Sequence, residues 1–256
     1  MDPHLRFDNV EKQRDRFTLR IPDIEINQGD VLGVIGNNGA GKSTMIQLVL
    51  GLILQTKGTI FRYAGEKVEN TLHEWKKDVG FVFDDLSVYD DLNMKLLSKF
   101  LGEVYPTWEE SYFFSLLEQF HIDPKKKVKN FSRGMRMKAG IASALAHRPK
   151  LLILDEPTSG LDTKSRKQMI RLLKETNEKE GTTVIFSSHI LADMEQLATS
   201  VWFMDEGEIL LHGSIDELRA NHAVDGNGRI QVNSQEGVKQ ATLDDLHDYY
   251  LGGDTE

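Results

Sequence analysis

The sequence predicts an α/β layered fold built on a parallel sheet, and three observations carry that prediction. Short runs at 31–36 (VLGVIG), 79–83 (VGFVF), 151–154 (LLIL) and 182–186 (TTVIF) are apolar without interruption. Such runs suit parallel strands covered by helices on both sides, because no residue is reserved for water. Helical patterns at 42–54, within 92–145 and at 163–180 alternate with them, which is the order of an α/β layer fold. Finally, the glycine-rich stretch GNNGAGKST (36–44) joins the first run to the first helical pattern.

The elements follow in order. The segment FTLRI (17–21) reads as a strand. The stretch 91–148 is too long for a simple crossover and reads as a helical insert broken at Pro106. Thr107 with Glu110 has the spacing of a capping box opening the next helix. Phe113, Leu116, Leu117 and Phe120 then recur at helical spacing as a core stripe. Beyond residue 200, VWFMDEGEILLHG reads as a hairpin turning at Glu206–Gly207, and Ser214 with Glu217 caps a short helix. VDGNGRIQV supplies a further turn and strand, and TLDDLHDYYLGG a final amphipathic helix. The expected organisation is a main domain over 1–220, interrupted by the insert at about 91–148, and a strand/helix extension over 221–256.

Composition narrows the function. The chain has 256 residues, 39% hydrophobic and 28% charged, an ordinary globular balance. A net charge of −9 argues against nucleic acid as the main partner. There is no cysteine, so thiolate metal sites and disulfides are excluded and a reducing cytoplasm is compatible. The N-terminal residues are charged throughout and do not read as a signal peptide. The longest apolar stretch, MIQLVLGLIL, is far short of the roughly 20 residues that span a bilayer. Any membrane role therefore requires a partner.

The loop 36–44 reads as a phosphate cradle. Gly36, Gly39 and Gly41 let the backbone wrap closely around an anion, with Asn37, Asn38, Ala40 and Thr44 completing the loop. Amides at the start of the helix point at the phosphates, Lys42 reaches the β- and γ-phosphates, and Ser43 ligates Mg²⁺. Kinases, GTPases, helicases and transport motors all use such a loop. LLILDEPTSGLD places Asp155 and Glu156 at the end of a buried strand, facing the crevice beyond the carboxyl ends. Asp155 suits indirect Mg²⁺ ligation and Glu156 suits a base polarising an attacking water. The run TTVIFSS ends on His189, which at such a position can touch a γ-phosphate. Gly36, Asp84, Asp155–Glu156 and His189 are thus expected at one sheet edge.

The set GNNGAGKST, FSRGM, LLILDEP, SGLD and SSH, in this order, resembles the nucleotide-binding subunit of an ATP-binding cassette (ABC) transporter. The resemblance covers residues 5 to about 220, and the ending TLDDLHDYYLGG resembles the bacterial exporter branch that handles antibiotics and peptides. It implies a P-loop NTPase fold with a RecA-like core and an N-terminal antiparallel β part, and two cassettes, identical or paralogous, meeting head to tail around two ATP molecules with Mg²⁺. It implies a membrane permease on another chain, and a cytoplasmic location on the inner face of the membrane. FSRGM would be the signature loop, in which Ser132, Arg133, Gly134 and Met135 close over the partner's ATP, and Asp162 falls in the loop that relays between the two sites. The family more often has Leu-Ser-Gly-Gly-Gln here; Arg133 or Arg136 is a candidate for attracting the partner's triphosphate. Asp84 stands where the family has a glutamine, so it is expected to meet Mg²⁺, with the loop DLSVYDDLN after it facing the permease. Phe17 and Arg14 are the candidates for the adenine platform, with weak discrimination between ATP and GTP expected. The alternatives are a soluble ABC ATPase acting on ribosomes or nucleic acid, and a P-loop kinase.

Overall fold

The computed structural model describes residues 3–62, 72–83, 89–225, 230–232 and 239–252. Asp84, Asp85 and the start of the loop after them lie outside the described residues. In chain order the first elements are β1 (Pro3–Arg14), β2 (Phe17–Ile21), β3 (Ile24–Asn27), β4 (Val31–Gly36), α1 (Lys42–Val49), β5 (Lys57–Arg62), α2 (Leu72–Lys77) and β6 (Val79–Val82). Then come α3 (Met94–Val104), α4 (Glu110–Gln119), α5 (Arg133–Leu145), β7 (Leu151–Leu154), α6 (Thr163–Glu180) and β8 (Thr183–Ser187). The chain continues through α7 (Leu191–Leu197), β9 (Ser200–Asp205), β10 (Glu208–Ser214), α8 (Ile215–Asn221), β11 (His222–Val224), β12 (Ile230–Val232), β13 (Lys239–Gln240) and α9 (Leu243–Leu251).

The chain divides into two compact units. The phosphate-loop unit comprises 5–26, 30–61 and 187–256; the helical unit comprises 1–4, 27–29 and 62–186.

In the phosphate-loop unit, β1 and β2 form a hairpin from Val10↔Ile21 to Arg14↔Phe17. Asp15 takes a positive φ of 46° to close its two-residue turn. β3 and β5 complete this N-terminal antiparallel part by pairing with β1. Every residue of β4 is buried. It runs parallel to β9 with Gly36 opposite Met204, and β9 turns back into β10. Glu206 and Gly207, both at positive φ, make the turn expected from the sequence. α8 and α9 open with complete capping boxes, Ser214/Glu217 and Thr242/Asp245, so both C-terminal helices start where the sequence says. Leu243, Leu246 and Leu251 bury one face of α9.

In the helical unit, β6, β7 and β8 are mutually parallel, and all residues of β7 and β8 are buried. The apolar runs of β4, β7 and β8 therefore have the predicted cause, whereas β6 does not, since Phe81 is 47% exposed. Phe113, Leu116, Leu117 and Phe120 are all buried, as the stripe in α4 required. α6 spans the predicted residues, with Asp162 capping its start and Gly181 at a φ of 68° ending it.

Two expectations are corrected. Thr107 and Glu110 form no capping box: α4 has Glu109 as its uncapped N-cap residue, and the Thr107 hydroxyl donates to His147 O at 2.6 Å. The first helical pattern also ends early, at Val49 rather than 54, because Gly51 takes a φ of 62°. Among the described residues no helix is long and apolar enough to cross a membrane.

Candidate functional site

The phosphate loop is fixed by close backbone approach. A Cβ on Gly36 would lie 2.3 Å from Met204 O, so only glycine lets β4 reach β9 at the loop entrance. Ala40 N–H donates to Asn37 O at 3.1 Å, and Gly207 N–H donates to Ala40 O at 3.1 Å. The loop is thereby closed on itself and tied to the β9–β10 turn. Gly41 is the N-cap of α1 at a φ of 111°, and no side chain caps the helix. The α1 terminus therefore leaves its amides and the positive end of its dipole to the loop concavity.

Lys42 lies inside this loop at 9% exposure. Its ammonium donates to Gly36 O at 2.7 Å and Asn37 O at 3.2 Å. Among the described residues no carboxylate sits within ion-pair distance of it. A buried cation held by carbonyls alone lacks counter-charge, and a polyphosphate supplies it. Asn37 also donates to Leu251 O at 3.5 Å, so the end of α9 borders the loop. His189, in the same unit, is exposed and follows Ser188, whose hydroxyl accepts from Ile190 N–H at 3.0 Å.

Phe17 does not stand free as a platform for a base. A Cβ on Gly41 would lie 3.0 Å from Phe17 Cζ, and one on Gly207 3.2 Å from Phe17 Cε2, so the ring supports the underside of the loop. Arg14 is exposed, with a guanidinium N–H donating to Gln47 Oε1 at 3.3 Å.

The helical unit holds the acids. Asp155 N–H donates to Val82 O at 3.0 Å, which places Asp155 and Glu156 at the carboxyl edge of β6 and β7. Both are half-buried. Glu156 takes a φ of 51°, in the left-handed region that a non-glycine residue enters at a cost of about 1 kcal/mol or more. Ser159 N–H donates to Glu156 O at 3.0 Å and holds that bend. Strain of this kind aims a side chain, and nothing in the residue pattern announces it.

The same unit brings the signature residues to the turn after Glu156. Ser132 is the exposed N-cap of α5 and accepts from Met135 N–H at 3.3 Å. An Arg133 N–H donates to Ser159 Oγ at 3.4 Å, and its side chain lies alongside Gly160. A Cβ on Gly134 would sit 3.2 Å from Leu161. Met135 Sδ is 3.9 Å from the Lys126 ammonium. Further along α5, Lys138 donates to Ser165 Oγ at 2.7 Å, and that hydroxyl donates to Asp162 Oδ2 at 2.7 Å. Asp162 also accepts from Ser165 N–H at 2.9 Å. These bonds, the backbone amide first, hold its carboxyl below the usual range. Arg136 is matched within the chain by Asp90 at 2.6 Å, a partner that sequence reasoning missed because the pair lies 46 residues apart.

Taken unit by unit, Ser43 offers a hydroxyl in the phosphate-loop unit and Asp155 a carboxylate in the helical unit. Among the described residues no group of three His, Asp or Glu side chains could hold a metal by itself, and hydroxyl and carboxylate oxygens are the donor types that suit Mg²⁺ when substrate phosphates complete its shell.

Comparisons with known proteins agree with this chemistry. A family model for the ABC transporter matches residues 19–159. The lantibiotic transport ATP-binding protein SrtF of Streptococcus pyogenes is 37% identical over 220 residues, covering 83% of this chain and 91% of that protein. The bacitracin transport ATP-binding protein BcrA of Bacillus licheniformis is 34% identical over 238 residues, covering 91% and 76%. A solved ATP-binding subunit of an ABC transporter shares the fold at a TM-score of 0.79 and 24% identity, covering 96% of this chain and 98% of that one. A dimeric ATP-binding cassette in a post-hydrolysis state with ADP and Pi matches at 0.70 and 23% identity, covering 82% and 98%. A buried lysine without a carboxylate, a strained glutamate after a buried strand and a serine-capped helix beside it thus have a common explanation: the chain belongs to the ABC transporter family and is an ATP-binding, ATP-hydrolysing subunit.

Proposed function

We propose that this chain drives an exporter of antibiotic- or peptide-like cargo, working as a dimer of cassettes around two ATP molecules with its permease on a separate chain. The names of the bacitracin and lantibiotic relatives support the cargo class. The observation that supports the dimer is a second helix start suited to an anion in the same chain. α5 begins with Ser132, has no acid in its first turn, and presents Arg133 beside it. A kinase acting alone on one nucleotide has no use for that end. A negative net charge weighs against the reading as a ribosome- or nucleic-acid-directed ATPase.

In this mechanism the amides of Gly36–Thr44 and Lys42 hold the triphosphate. Ser43 and Asp155 would hold Mg²⁺, which would supply positive charge to the transferring phosphate. Glu156 orients water and takes its proton as the water oxygen bonds the γ-phosphorus and the bond to the β-phosphate oxygen breaks, leaving ADP and phosphate. His189 hydrogen-bonds the γ-phosphate. Ser132 and the Gly134 amide close over the partner's ATP, and Asp162 relays between the two sites. Asp84, which lies outside the described residues, stands in the sequence where the family has a glutamine and would be a further acceptor for Mg²⁺. Arg14 lies over the adenine as a planar cation, in place of an aromatic ring.

The permease seat is the apolar groove of the helical unit. A cavity of about 250 Å³ is lined by Phe83, Tyr89, Leu97, Leu101, Tyr105 and His147 among others. Leu96, Phe100 and Val104, four residues apart on α3, are about half-exposed beside it, a stripe better suited to a protein partner than to water. Attachment there places the chain on the cytoplasmic face of the membrane.

The test is Glu156→Gln. ATP binding should persist, hydrolysis should fall by about a thousandfold, and an ATP-dependent dimer should accumulate in size-exclusion chromatography. A variant that turns over normally, or stays monomeric with ATP bound, refutes the proposal.

A further inference from the structure

The segment 89–93 and the approach to α5 are joined by a continuous ladder. Val128 N–H donates to Leu92 O at 2.9 Å, and Lys129 N–H donates to Asp90 O at 3.1 Å. Asn93 bridges Lys127 in antiparallel register. Side chains add two ion pairs, Lys129–Asp91 at 3.0 Å and Arg136–Asp90 at 2.6 Å. The pairs are unequal. The side chains of Lys129 and Asp91 are 49% and 84% exposed, so water screens them. Those of Arg136 and Asp90 are 19% and 42% exposed, and the Coulomb attraction between them is correspondingly stronger.

Helix electrostatics explain why the second pair is needed. α5 opens with Arg133 and Arg136 and has no acid in its first turn, so cations sit on the positive end of the helix dipole. Asp90 supplies the missing negative charge from a different segment. Arg136 N–H in turn donates to Ser132 O at 2.9 Å, one helical turn from the ion pair to the signature serine.

We infer that Arg136 is a positioning residue for Ser132: through Asp90 it locks the signature turn to segment 89–93, so a displacement of that segment is delivered to Ser132 and Gly134. This rests on the reading that Ser132 closes over the partner's ATP. The lysines and Arg133 around the signature turn are then a basic face, while Arg136 is a strut within it.

The experiment uses the full chain carrying Glu156→Gln, which traps the ATP dimer. Adding Arg136→Met should raise the ATP concentration for half-maximal dimer by about fivefold. Affinity of the monomer for a fluorescent ATP analogue should stay unchanged, because the loop Gly36–Thr44 is intact. Asp90→Asn should act to the same extent, which also covers the case that Arg136→Met fails to fold. The swap Asp90→Arg with Arg136→Asp should return the dimer to within about twofold of the parent. In hydrogen exchange, amides of 89–93 and 128–136 should lose protection together in Arg136→Met and keep it in Lys129→Met. Single variants that dimerise at the parent's ATP concentration overturn the inference. So does a swap that fails to restore, or a loss appearing equally in nucleotide affinity. If Glu156→Gln alone forms no ATP dimer, the reading of Ser132 has failed; unchanged exchange in Arg136→Met would then separately refute the strut.

Discussion

Two histidines of the helical unit should make its stability fall between about pH 7 and pH 4. His4 is 4% exposed and His147 2% exposed, and burial, the leading cause in each, depresses both from 6.5 to about 4. His4 has the Lys150 ammonium as a second cause, partly offset by Asp78, while its Nδ1 meets Thr183 Oγ1 at 2.8 Å. That hydroxyl also accepts from Gly29 N–H at 2.9 Å. His147 stacks on Tyr105 with centroids 4.0 Å apart. Neither of its ring nitrogens has a partner in hydrogen-bonding geometry, and the Val79 and Ser143 backbone only offsets part of the burial. A folded pKa below the unfolded one means the unfolded chain binds protons first. Stability is therefore full above about 6.5 and is lost as pH falls toward 4. At pH 5 the linkage comes to about 2 kcal/mol per histidine, about 4 kcal/mol for both. Urea unfolding in a Trp202→Phe background, where Trp75 and Trp108 report on the helical unit, measures it. His147→Phe keeps the stack on Tyr105 and should halve the pH dependence; His4→Asn should remove much of the rest. A stability of the parent that is flat between about pH 7 and pH 5 refutes this account of the two buried rings.

The remaining predictions concern binding. Phe100→Asp puts a charge on the exposed stripe of α3 and should abolish co-purification with the permease while leaving ATP affinity within about twofold; capture at the parent level would remove α3 from the interface. Arg14→Ala should weaken ATP and GTP alike, by about three- to tenfold, because a stacked guanidinium reads the face of a base and not its edge. Loss of ATP binding alone in a competition assay would show an edge contact and remove Arg14 as the platform.

What the sequence made legible is what neighbouring residues settle among themselves. β4, β7 and β8 were readable because burial on both faces is written into consecutive residues, and Ser214 was readable as a helix start because it meets an amide three residues on. Thr107 had the right spacing and failed, since a carbonyl 40 residues away, that of His147, offers its hydroxyl a stronger bond. The bend at Glu156 left no trace in residue type, for glutamate has no preference for positive φ. The basic run from Lys125 to Lys138 shows the limit most sharply. As a string it is a charged face in an acidic protein, and charge alone cannot distinguish a solvated lysine from a strut. The distinction is made by Asp90, which lies beyond α3 and α4 in the chain and reaches Arg136 through tertiary structure alone. Two arginines at the positive end of a helix whose first turn carries no acid were the legible half of that pair: an unfavourable local arrangement is a reason to look for a distant counter-charge.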